Sequence, residues 1–185
     1  TRKRGEELGT QIRVSGSKIL SRDPVSTPEG SNFQVRNLFF NIPARRKFLK
    51  TDQTELRHII NEFNHVALAH PDIEFSLIHN NSQIFNLPKT NLRQRIVGIF
   101  GKNMNSNLIA ANSETTLIDI KGFIGKPEAA KKTFGEQFFF VNKRYIRHPY
   151  LHKAIIQAYD NILPSNAIPA YFIYFNIDPD KIDIN

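Results

Sequence analysis

The sequence predicts an α+β fold that closes on a βαβ unit. Three observations carry this. Phe138-Phe139-Phe140-Val141 and Tyr171-Phe172-Ile173-Tyr174-Phe175 are apolar at every position, as strands covered on both faces are. Between them, Pro149 opens a helical pattern with Leu151, Ala154, Ile155, Ala158 and Ile162 directed inward, and Pro164 closes it. Upstream, Ile73, Phe75 and Leu77 alternate with Glu74 and Ser76, and Asn80-Asn81-Ser82 turns that strand back into Gln83–Leu87, an antiparallel hairpin.

Taken in order, residues 10–20 and 33–40 read as strands, joined by a connection rich in Ser, Pro and Gly from Ser21 to Gly30. The apolar run Val35-Arg36-Asn37-Leu38-Phe39-Phe40 is expected to be buried. Asn41-Ile42-Pro43 then leads into a helix, because the first helical N–H groups have no partner and proline there loses little. Phe48 and Leu49 are expected to anchor this helix by packing. Arg45 or Arg46 is expected to be exposed, or to pair with acids such as Asp52 or Glu55. Asp52-Gln53-Thr54-Glu55 has the spacing of a capping box. Leu56, Ile59, Ile60, Phe63 and Ala67 share one helical face, with Arg57, Asn61, Glu62 and Asn64 opposite. Pro71 ends that helix, and a domain boundary is expected near His70-Pro71. After the hairpin, Leu92, Ile96, Val97 and Phe100 mark a short helix closed by Gly101. Thr115–Ile124 reads as a strand, and Lys126–Gly135 as a basic, mobile loop.

Composition narrows the partners. Twenty-five Lys and Arg against seventeen Asp and Glu leave a net charge of +8 over 185 residues. Nucleic acid, nucleotide phosphates or an anionic membrane surface suit that excess. Cysteine is absent, which excludes disulfide scaffolds and thiolate metal sites. No apolar run approaches the roughly 20 residues of a membrane span. The chain stops at Asp183-Ile184-Asn185 inside what reads as a strand, so it is expected to be part of something longer.

Leu38-Phe39-Phe40-Asn41-Ile42-Pro43-Ala44-Arg45-Arg46-Lys47-Phe48-Leu49 resembles the "LFxNxPARxKFL" signature of the MutL family of DNA mismatch-repair proteins. Three further stretches follow in family order. Pro28-Glu29-Gly30-Ser31-Asn32-Phe33-Gln34-Val35 is similar to its "GTxxxV" strand entry, Phe140-Val141-Asn142-Lys143-Arg144 to its "YVNGR", and Pro179-Asp180-Lys181-Ile182-Asp183-Ile184-Asn185 to its "P..VDVN".

The resemblance implies the end of a GHKL-type ATPase sandwich over residues 1–70. A transducer domain with the ribosomal protein S5 domain 2 fold would follow over 71–185. It implies a left-handed βαβ crossover where the general rule gives a right-handed one. It implies ATP and Mg²⁺ in the full-length parent but no cofactor in this chain, whose family-order positions exclude the ATP pocket and the phosphate-sensing lysine. Hydrolysis by this chain alone is therefore not expected. The implied partners are DNA, a MutS-like mismatch-recognition protein and a downstream nuclease or helicase, in a homodimer of the bacterial cytoplasm with no membrane contact.

Gly30 and Ser31 are what the family pattern leaves of the ATP-site edge, with Ser31 keeping the hydroxyl of the usual threonine. Gly122-Phe123-Ile124-Gly125 reads as ordinary strand glycines. No residue stands out as catalytic, and no metal is expected. His148 and His152 stand at i,i+4 without a third ligand. The candidate DNA-phosphate contacts are Arg45, Arg46 and Lys47, together with Lys143, Arg144, Arg147 and Lys153 around the start of the last helix. Lys126, Lys131 and Lys132 add charge in the loop before it. Two alternatives remain: a stand-alone S5-like nucleic-acid binding module, and the transducer of a type II topoisomerase ATPase subunit.

Overall fold

The computed structural model describes residues 1–181 and divides into two units, Thr1–Glu55 and a second beginning at Leu56. In the first unit, β1 (Gly9–Ser15) and β2 (Lys18–Val25) form an antiparallel hairpin. The single strand expected over 10–20 is folded back at Gly16-Ser17. Their φ values of 54° and 66° are those of a type I′ turn, whose twist matches the flanking strands. Much of the Ser21–Gly30 connection is therefore strand.

Residues 33–40, expected as a buried strand, form none. Phe33 and Val35 are 90% and 78% exposed, and Asn37 and Phe39 take left-handed φ values of 51° and 62° that break any extended run. Apolar, β-prone residues become a strand only where a ladder partner and a covering layer exist. The two-stranded sheet of this unit supplies neither to this segment. The same reason undoes the expected anchors after it. Helix α1 (Pro43–Lys47) starts where the proline predicts but has five residues and buries none. Phe48 is 77% exposed, and Leu49 is exposed too. Helix α2 (Asp52–Ala69) is capped one residue earlier than expected. Thr54 N donates to Thr51 Oγ1 at 3.4 Å, and Lys50 N donates to Glu55 Oε1 at 2.8 Å.

The second unit is built on a mixed sheet. The expected hairpin is present as β3 (Phe75–His79) and β4 (Ser82–Leu87), turned at Asn80 and Asn81 with φ 47° and 64°. Helix α3 (Leu92–Phe100) begins at Asn91, whose side chain accepts from Gln94 N, and stops at Gly101 with φ 98°. Then come α4 (Met104–Asn107), β5 (Leu108–Glu114), β6 (Asp119–Gly125), β7 (Gln137–Val141), β8 (Arg144–Ile146), α5 (Pro149–Ala158) and β9 (Tyr171–Asn176). The five-stranded sheet has the order β5-β6-β9-β7-β8; β7 and β9 are parallel and the other pairs antiparallel. β5 and β8 lie outside the sequence expectations. The strand expected over 115–124 begins at Asp119, because Thr115 forms a turn by accepting from Leu117 N and Ile118 N through its hydroxyl.

Strand alternation sorts the side chains onto two faces. Phe138, Phe140 and Phe172 pack on one side with Leu68 and Ala69 of α2, Ile96 of α3 and Met104 of α4. Phe139, Tyr171 and Ile173 pack on the other with Leu151 and Ile155 of α5. Tyr174 Oη donates to Leu68 O at 3.0 Å, and Tyr159 Oη donates to Gly125 O at 2.5 Å, so each helix layer is also hydrogen-bonded to or beside the sheet. Burial raises the Tyr159 and Tyr171 phenols to about 12, and Tyr174 further still. Three expectations about helix faces change. Asn64, expected outward, is buried, while Ile59 is 54% exposed. On α5, Ala154 and Ala158 are exposed, as is Ile162 beyond it, and the inward row is Leu151, Ile155 and Tyr159 at i,i+4. The Lys126–Gly135 loop, expected as mobile, contains a 3₁₀ turn and is tied to Ile168 by two backbone bonds of 3.1 and 2.7 Å with Lys131.

Candidate nucleic-acid interface

The basic residues of the second unit lie along one short hairpin and the helix after it. β7 ends at Val141, pairs with Arg144 and turns through Asn142-Lys143 at φ 48° and 68°, again a type I′ geometry. Arg144 and Arg147 follow on and just after β8, and Lys153 stands on α5; all four cations are exposed. Among the described residues none of them belongs to an ion pair.

The expected cluster is nevertheless spread out. β8 carries the chain from the Lys143 turn to the α5 start, and its three residues span roughly 10 Å. Lys143 thus stands at the end of the sheet where β9 finishes, beside Phe175 and Asn176. Lys153 lies with His152, whose Nδ1 is 2.8 Å from the hydroxyl of Tyr171, where β9 begins. His148 is the α5 N-cap and accepts from Leu151 N through Nδ1 at 3.4 Å, so the two histidines serve different local bonds.

Lys121 is a cation that sequence reasoning misses. The sheet order places it opposite Tyr174, and it lines a cavity of ≈ 420 Å³ together with Lys143, Asn142, Asp72 and Asp119. It is not free: Lys121 Nζ lies 2.8 Å from Asp119 and 3.8 Å from Glu114, and the bond to Asp119 raises its pKa. Only the strand order brings Lys121 to Lys143, and no spacing in the sequence signals it. Lys131 is likewise committed, to Glu136. In the first unit Arg45, Arg46 and Lys47 are exposed on α1, and the Arg45 guanidinium lies 6.0 Å from the Phe39 ring centroid. No ion pair to Asp52 or Glu55 forms among the described residues.

Gly30 and Ser31, the expected ATP-site edge, lie against the first two residues of the chain. Gly30 exchanges two 2.9 Å backbone bonds with Arg2, and Ser31 Oγ lies 2.8 Å from Thr1 Oγ1. A Cβ at Gly30 would meet nothing within 4 Å, so its φ of 107°, not a close approach, is what calls for glycine. The last of the four motif stretches, from Pro179, lies beyond Lys181 mostly outside the described residues.

Lys143 holds a left-handed conformation that costs an L-residue roughly 1–2 kcal/mol, of which glycine's greater chain entropy returns about 0.5–1. Lys143→Gly is therefore expected to raise stability by up to about 1 kcal/mol in urea melts. A fall in stability would mean that the lysine side chain is held by contacts stronger than the strain.

Residues 96–185 match the family described as "DNA mismatch repair protein, C-terminal domain". Over all 185 residues the chain is 53% identical to the DNA mismatch repair protein MutL of Phocaeicola vulgatus and 55% identical to that of Flavobacterium psychrophilum. It spans about 30% of the length of each. Its fold matches the Aquifex aeolicus MutL ATPase domain complexed with ADP, with a TM-score of 0.73 and 28% identity over 94% of this chain and 64% of that one. A second structure of the ATPase domain from the Aquifex aeolicus mismatch repair endonuclease MutL gives a TM-score of 0.76 at 25% identity, over 100% of this chain and 68% of that one.

Proposed function

The chain belongs to the MutL family of DNA mismatch-repair proteins, and from that premise we propose that it is the relay and DNA-holding part of a mismatch-repair ATPase. In this reading residues 1–70 close the nucleotide-binding domain and 71–185 form the transducer. The full protein uses ATP with Mg²⁺, works as a dimer, and links a MutS-like mismatch-recognition protein to a downstream nuclease or helicase. The ADP bound by the Aquifex aeolicus relative supports nucleotide use in the full-length protein.

The observation that carries the DNA reading is the row of exposed cations, Lys143, Arg144, Arg147 and Lys153, along β8 and α5, which have no acidic partner among the described residues. Such side chains seek phosphates, and phosphate contacts give affinity without reading sequence. Cations spread along a hairpin suit a backbone track better than a single small anion. Duplex binding is expected to be weak, indifferent to sequence and steeply salt-dependent.

Removing one cation–phosphate pair lowers the log–log salt slope by about 0.9 on duplex DNA. Reversing Lys143, Arg144 and Arg147 to Glu should therefore flatten the slope by roughly 2.7 and weaken binding alike on unrelated sequences. Reversing Lys18 and Arg22, exposed on β2, serves as the control and should matter less. Affinity and slope that respond to the control but not to the triple reversal would place the binding face elsewhere.

A further inference from the structure

The β7–β8 turn is held by more than its own ladder. Asn142 Nδ2 donates to Ile177 O at 2.8 Å, and Ile177 N donates to Asn142 Oδ1 at 3.0 Å. Asn142 N also donates to Phe175 O at 2.9 Å. One side-chain amide thus exchanges both hydrogen bonds with a single backbone residue, as a neighbouring strand would, beyond the last ladder pair of β7 with β9 at Val141 and Phe175. Asparagine suits the place twice over, because it tolerates φ 48° and carries a donor and an acceptor on one planar group. The next two residues are Lys143 and Arg144, and the bonded residue is the first after β9.

We propose that Asn142 is a positioning residue that ties the Lys143-Arg144 turn to the chain leaving β9, so that holding either one holds the other. The DNA side of this inference rests on the reading of the basic hairpin given above. The tie itself rests on the three bonds alone. Because coupling between two sites is reciprocal, DNA held at the turn must steady Ile177, and whatever steadies Ile177 must favour DNA.

The test uses amide hydrogen exchange on the 1–185 chain with Asn142→Gly and Asn142→Asp. Glycine is the residue best fitted to a left-handed turn position, so it keeps the turn while deleting both side-chain bonds. Aspartate keeps the acceptor for Ile177 N and turns a charge toward Ile177 O. Without DNA, the Ile177 amide should exchange several-fold faster in Asn142→Gly, up to about tenfold for deletion of one bond, with Asn142→Asp in between. With a random-sequence duplex at low salt, Ile177 exchange should slow in the wild type and not in Asn142→Gly, which should also bind more weakly.

An Ile177 rate unchanged by Asn142→Gly without DNA would overturn the proposal. So would an equal response to DNA in both proteins. Failure of the wild type to bind duplex would overturn the reading of the basic hairpin, and the tie would then stand or fall on the DNA-free Ile177 rate.

Discussion

Replacing Arg95 with alanine is expected to destabilise the second unit by about 3–5 kcal/mol. Arg95 lies on α3, is 1% exposed, and meets no carboxylate at bonding distance among the described residues. Its guanidinium instead donates to four main-chain carbonyls: Pro71 O at 3.0 Å, Ile73 O at 2.5 Å, Leu87 O at 3.5 Å and Pro88 O at 3.1 Å. These oxygens gather at the entry and exit of the β3–β4 hairpin, Leu87 O in the Phe75–Leu87 pair where the ladder ends and the other three beyond it. The Phe75 ring lies 5.3 Å below the cation. Burial lowers the Arg95 pKa and the nearby Asp72 carboxylate partly restores it.

Deleting the side chain takes a donor from all four carbonyls, of which Pro71 O keeps Thr90 N at 2.9 Å, and opens a cavity between α3 and the hairpin. Arg95→Lys should recover only part of the loss, because three tetrahedral donors cannot reach what a planar fork reaches. Urea melts of the two variants check this. A loss under about 1 kcal/mol for Arg95→Ala would mean that water satisfies those carbonyls.

Gly122→Ala should be at least as damaging, about 4 kcal/mol or more. Gly122 sits in β6 opposite Ile173 of β9, and a Cβ there would lie 2.0 Å from Phe172 O. The clash is with main chain, so no rotamer change relieves it; β9 would have to move. β9 is the middle strand of the sheet, and both core layers pack on it. Gly16→Ala makes the comparison. Its Cβ meets open space and only its φ of 54° opposes the change, at a cost of about 1–2 kcal/mol. Thermal melts should put Gly122→Ala well below Gly16→Ala. The reverse order would mean that the β6–β9 spacing is easily relaxed.

What is legible in the sequence follows the range of each signal. The Asn80-Asn81 hairpin, the helix stop at Gly101 and the start at Pro149 are written in adjacent residues, and all three hold. The buried strands β7 and β9 are readable because consecutive apolar residues have few other uses. β8 is three residues long, too short to show a period, and without it the last cations look closer together than they are. Residues 33–40 show the opposite error: strand-like composition without a strand, since pairing depends on a neighbour that composition does not name. Arg95 and Asn64 are unreadable for a third reason. A polar residue on a helix is solvated in most settings, and only the carbonyls gathered around Arg95 at the entry and exit of the hairpin make its burial tolerable.

The lysine at position 143 has a chemical consequence as well as a conformational one. Where the family pattern has Asn-Gly, this chain has Asn142-Lys143, and it contains no Asn-Gly pair anywhere. An asparagine ages when the following peptide nitrogen attacks its side-chain carbonyl, closing a succinimide that expels ammonia and reopens as aspartate or isoaspartate. Glycine offers that nitrogen least obstruction, and lysine shields it. The amide at risk is also the group bonded to Ile177 from both ends, which resists the rotation that cyclisation needs. A strained turn residue therefore protects its neighbour from slow deamidation. The Lys143→Gly protein, though more stable to urea, would have the shorter shelf life.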